Sequence, residues 1–150
     1  MKKILILIII MLLLFGACAP AYNGPYSFRG HELGDSLEDV IEKESREPYF
    51  QNDVHADFDL YDFYGDYCFM SCKFNNNSLF RITVTYAPAD TVLDVETVYE
   101  DMMSNLVSTY GKPDATKSDK DWRSARWLKK GFGMHISVKP THFIIFVDFE

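Results

Sequence analysis

Short runs of two-residue alternation recur in this chain from Val54 onward, and that period demands a β-sheet. Val54, Ala56, Phe58 and Leu60 alternate with Asp53, His55, Asp57 and Asp59. They predict a strand over about 53–64, with a bulge near Tyr61-Asp62 where the phase slips. Gly65-Asp66 reads as a turn. Cys68, Met70, Cys72 and Phe74 share one phase of a second strand, about 67–74, and Asn75 to Ser78 form a turn cluster. Phe80, Ile82, Val84 and Tyr86 alternate with Arg81, Thr83 and Thr85 in a third strand that Pro88 closes. Three more candidates follow: about 122–130, a run phased on Met134, Ile136 and Val138, and Phe143 to Phe149. The last is almost wholly apolar, which suits a central strand.

Two segments change period. Leu37, Val40 and Ile41 make a helical stripe with Glu38, Asp39, Glu42 and Lys43 outside it. Asp35 reads as its N-cap, with Glu38 completing a capping box and Pro48 stopping the helix, placed at about 36–46. Val95, Val98, Tyr99, Met102, Leu106 and Tyr110 recur at three- and four-residue spacing. Asp94 or Asp90 caps that second helix, Gly111 ends it and Pro113 follows. The order is helix, three strands, helix, three strands. It predicts an α+β domain built from duplicated αβββ units. They would form one antiparallel sheet of about six strands, with both helices on one face.

The chain begins Met1-Lys2-Lys3, runs apolar from Ile4 to Phe15 and reaches Gly16-Ala17-Cys18. A charged start, a short apolar core and small residues make a signal peptide. Leu14-Phe15-Gly16-Ala17-Cys18 resembles the lipobox of bacterial lipoproteins, with Phe15 where that family prefers Leu. The resemblance implies cleavage before Cys18 and acyl chains on its thiol. Two or three such chains anchor a protein stably, where one gives only marginal binding. Two other readings compete. Ala17-Cys18-Ala19 also fits ordinary secretory cleavage. An uncleaved anchor would need about 20 apolar residues rather than this short run.

Residues 1–17 are therefore expected as a leader, 18–30 as lipidated cysteine and Pro/Gly-rich tether, and 31–150 as a single domain. Tyr22, Tyr26 and Phe28 are the tether residues able to pack on that domain. The expected address is the cell envelope, on the outer face of the cytoplasmic membrane or on the outer membrane. Formal charge is −7 for the whole chain and −9 without Lys2 and Lys3. So acidic a domain is not built to hold nucleic acid.

Leu33-Gly34-Asp35-Ser36-Leu37-Glu38-Asp39-Val40, with Pro48 beyond, resembles the helix-opening element of small envelope lipoproteins. Tyr110-Gly111-Lys112-Pro113 resembles the ending of the same helix. BamE-type (SmpA) assembly lipoproteins and β-lactamase-inhibitory proteins share this helix-then-strands arrangement. The first helix departs from the pattern, with Arg46-Glu47 where a glycine precedes the proline. The resemblance implies protein–protein binding in the envelope without catalysis, and it carries no binding residue across.

No catalytic, metal or cofactor motif stands out. Asp53, His55, Asp57 and Asp59 share a strand phase. Alternate residues lie almost 7 Å apart there, too far for all four to reach one cation. Cys68 and Cys72 are four apart on one strand, roughly 13 Å, beyond disulfide reach. His31, His55, His135 and His142 are scattered and no Gly-x-Ser-x-Gly elbow occurs, so a hydrolase has no motif behind it. Arg123, Arg126, Lys129 and Lys130 with Trp122 and Trp127 form a basic cluster, read as a charge-guarded edge strand or as a meeting point for an acidic partner or lipid headgroups.

The strand phase pointing away from the helices is the expected partner-binding surface. It carries Tyr67, Phe69, Ile144 and Phe146, with Tyr61 depending on the bulge. An open sheet face is ordinarily polar, and exposed apolar patches mark binding sites. The function expected is a membrane-anchored interaction module with an envelope protein partner. The alternatives are a surface lipoprotein that binds a small ligand and, behind it, a hydrolase without a motif.

Overall fold

The structure, a computed structural model, describes residues 26–63, 66–87 and 92–149. The leader, Cys18, Tyr22, the Gly65 turn, Pro88 and the Asp90 cap lie outside those residues. Helix α1 (Leu37–Glu44) precedes strands β1 (Phe50–Asn52), β2 (His55–Phe63), β3 (Asp66–Asn75) and β4 (Ser78–Tyr86). Helix α2 (Val95–Tyr110) precedes β5 (Ala115–Asp119), β6 (Trp122–Lys129), β7 (Phe132–Lys139) and β8 (His142–Phe149). None of the described helices is long and apolar enough to cross a membrane.

All eight strands form one antiparallel sheet in the order β1-β2-β3-β4-β8-β7-β6-β5. The expected six-strand sheet of αβββ units is therefore corrected. Each helix is followed by four strands, and the two halves meet where β4 pairs with β8. The additions, β1 and β5, are the two edges. Every residue of both is exposed, so neither strand has an apolar phase to betray it in the sequence.

Local chemistry explains the turns. Asn76 and Asn77 both have positive φ, 51° and 57°, and join β3 to β4. That is the backbone a two-residue hairpin with right-handed twist requires, and asparagine tolerates it. The α1 cap is Ser36, not Asp35. Its side chain accepts from Asp39 N–H while Asp39 reaches back to Ser36 N–H. Asp35 is engaged elsewhere, accepting from Glu32 N–H and Lys43. The expected bulge is present as a register shift between Leu60 and Phe63. A second shift, at Lys73/Phe74, puts Leu79 in the core and leaves Phe80 half-buried.

One sheet face and both helices enclose a single core. Phe58, Met70, Ile82, Val84, Ile145 and Trp127 are fully buried, joined by Val40 of α1 and by Met102 and Leu106 of α2. Cys68 and Cys72 are buried on the same face. Burial, helped by the charges of Glu44 and Asp57, raises the Cys72 thiol well above its ordinary value and so disfavours the thiolate. The chain entering the domain packs on this side too. Phe28 is buried beside Phe63, and Tyr26 stacks on Phe132 at 5.5 Å between centroids.

Candidate functional site: the open face of the sheet

The face turned from the helices is organised in rows of cross-strand neighbours. One row runs Asp59, Phe69, Thr85, Ile144, Ser137, Ser124, Lys117. The next runs Asp57, Ser71, Thr83, Phe146, His135, Arg126, Ala115. Strands lie about 4.8 Å apart, so Phe69 and Ile144, two strands apart, are separated by roughly 10 Å. All four residues expected on this surface lie on it. Tyr67 and Phe69 are 41% and 45% exposed, Phe146 is 37% exposed and Ile144 is half-buried. Tyr61, 66% exposed, joins them through the bulge, its ring 5.1 Å from that of Tyr67.

The β2–β3 end of the face is aromatic and acidic. Tyr67 and Phe69 meet edge to face at 5.2 Å. Tyr67 donates its hydroxyl to Asp59 Oδ1 at 2.5 Å, and that bond, with burial and the Asp59 charge adding to it, raises the phenol to about 12. Arg46 lies over the Tyr61 ring and donates to the Asp59 carbonyl. His55 reaches Asp57 Oδ1 at 2.7 Å and Ser71 Oγ at 2.6 Å. These links tie His55 to Asp57 and Asp59 to Tyr67, and Asp53 lies in the turn before β2. Among the described residues no group of three or more His, Cys, Asp or Glu side chains could hold a metal ion.

The β5–β8 end is different. Here a groove of about 560 Å³ opens on the same face. Its floor is Phe146 and His135, whose rings lie parallel within 7° at 6.5 Å. Its walls include Trp122, Leu128, Arg126 and Lys117. Trp122 is fixed by its indole N–H, which donates to Ser137 Oγ at 2.8 Å. Burial, then the charges of Arg126 and Lys117, hold the His135 imidazole below its ordinary value.

Sequence reasoning missed this groove. It read Trp122 and Arg126 as members of one basic cluster and His135 as a stray histidine. The pairing of β6 with β7 separates that cluster. Arg126, opposite His135, faces the open side; Trp127, opposite Met134, faces the core. Arg123 is engaged by Glu96, and Lys129 lies 3.8 Å from Asp114. The usable signal was the polar phase of β7, His135 and Ser137, which needs the β6 register to become a site. No family model matches this sequence, and no curated protein or solved structure resembles it at a significant level.

Proposed function

We propose that this chain is a lipid-anchored protein of the bacterial cell envelope whose open sheet face docks a protein partner. The observation that carries the reading is the apolar character of that face. An open antiparallel face alternates to polar residues, yet Tyr61, Tyr67, Phe69 and Phe146 are exposed on it. Aromatic side chains are the usual anchors of protein interfaces. The entering segment offers no cover among its described residues, because Tyr26 and Phe28 pack on the helix side. The leader ending at Cys18 supports the membrane anchor.

Anchoring is tested by metabolic labelling with a fatty-acid probe. The wild type should be labelled and Cys18→Ala should not; label surviving the substitution contradicts the lipid anchor. Docking is tested by Phe69→Ser with Phe146→Ser. Both side chains are exposed, so stability should change by about 1 kcal/mol or less, while recovery of a crosslinked partner from native membranes falls. Loss of folding in the double variant would mean that the face is buried, and the docking reading would fail.

A small-ligand role is the second reading. The groove supports it, being within the usual size range of ligand sites, about 300–1,000 Å³. The groove nevertheless opens onto the docking face rather than lying between sheet and helices. That placement favours a contact surface continuous with the aromatic patch.

A further inference from the structure

Charge divides the open face. The chain is acidic, at −7 overall, yet the β5–β8 groove presents the basic side chains Lys117 and Arg126. Among the described residues neither has an ion-pair partner. Four other cations are paired: Arg29 with Glu44, Lys43 with Asp35, Arg81 with Asp148, Arg123 with Glu96. The Arg81 pair takes up Asp148, the carboxylate lining the groove. The groove thus sets two exposed cations beside an apolar floor of Phe146 and a wall of Trp122 and Leu128.

The shape points to a polymer. From Lys117 on β5 to Phe69 on β3 the row crosses five strand spacings, roughly 24 Å, which an extended segment of about seven residues would span. The groove is continuous with this row through Lys117 and Ser124, and Phe146 of the adjoining row extends it toward β4. A compact small molecule would use only one end.

Resting on the docking reading, we propose that the β5–β8 groove is the anion-binding end of the docking face. It would take an acidic segment of the partner polypeptide, seating a carboxylate between Arg126 and Lys117 and a large apolar side chain against Trp122 and Phe146. Guanidinium suits this role because it binds carboxylate through two parallel hydrogen bonds. The aromatic patch at Tyr67 and Phe69 then holds the apolar remainder of the segment.

The test uses the full chain in nanodiscs of neutral lipid and a capped, fluorescein-labelled eight-residue peptide alternating glutamate with leucine. Anisotropy gives Kd for this peptide, for its glutamine counterpart and for its lysine counterpart; free phenylbutyrate serves as a small monoanion. The glutamate peptide should bind, and raising the salt should weaken it. The glutamine peptide should bind roughly tenfold more weakly, the scale of one lost charge-assisted contact. Arg126→Ala should cost the glutamate peptide a similar factor, and Arg126→Lys should retain part of the affinity, with unfolding temperatures unchanged. No binding of the glutamate peptide, equal binding of both peptides, indifference to Arg126→Ala, or binding of phenylbutyrate alone would each overturn the proposal. If Arg126→Ala leaves partner recovery intact while Phe69→Ser with Phe146→Ser abolishes it, the acidic-segment assignment falls and the docking reading stands.

Discussion

Glu44→Ala should destabilise the domain by about 2–3 kcal/mol, the cost of leaving buried His31 without its hydrogen-bond partner and removing a charge-assisted pair with Arg29. The turn at Arg29-Gly30 makes this network possible. Both residues have positive φ, 55° and 84°, and the turn closes a two-way backbone bridge between Phe28 and His31. It thereby sets Arg29 and His31 against the last turn of α1. Arg29 grips Glu44 with two hydrogen bonds, 3.1 Å from Nε and 2.8 Å from Nη2. His31, fully buried, lies 2.8 Å from Glu44 Oε1 through Nε2.

Burial alone would raise the Glu44 carboxyl. The bonds and charges of His31 and Arg29 outweigh it and hold the group at about 2, against an ordinary 4.5. A depressed carboxyl contributes stability above its unfolded value and loses it as pH falls toward its folded one. The wild-type advantage over Glu44→Gln should therefore be complete above about pH 5 and shrink between there and pH 2. Urea unfolding at a series of pH values measures it. A constant difference down to pH 2 would show that the Glu44 charge is not the source.

Trp127→Ala should cost about 3–5 kcal/mol, as loss of a large buried aromatic does. Trp127 has no exposed surface, and its indole N–H donates at 2.8 Å to the carbonyl of Gly111, the C-cap of α2. The side chain thus fills the core and fastens the end of a helix to β6. Trp127→Phe keeps most of the volume and removes that bond, so it should cost less, roughly 1–3 kcal/mol including the orphaned carbonyl. Equal losses for both variants in thermal unfolding would mean that the hydrogen bond, not the volume, dominates.

These two anchors show what the sequence could and could not disclose. The six strands with an apolar phase were legible because burial on one side imposes a two-residue period. β1 and β5 bury nothing, so Phe50–Asn52 and Ala115–Asp119 leave no such trace. The aromatic patch was legible because Tyr67 and Phe69 occupy the phase opposite Cys68 and Met70 within one strand. The groove was not, because it joins side chains of β5, β6, β7 and β8 whose proximity depends on register across three strand pairs. The Glu44 network was hidden for a similar reason. His31 and Glu44 are ordinary surface residue types, and the left-handed turn at Arg29-Gly30 buries His31 against Glu44 while Arg29 caps the pair from the surface.

Site-specific photocrosslinking in living cells bears most directly on the docking face. A photoreactive residue would replace Phe69 or Phe146, with Glu100, exposed on α2, as the position on the opposite side. Discrete adducts to one protein from both sheet positions, and none from Glu100, are the expected result. An adduct from Glu100 with nothing captured at Phe69 or Phe146 would contradict the assignment of the open face as the docking surface.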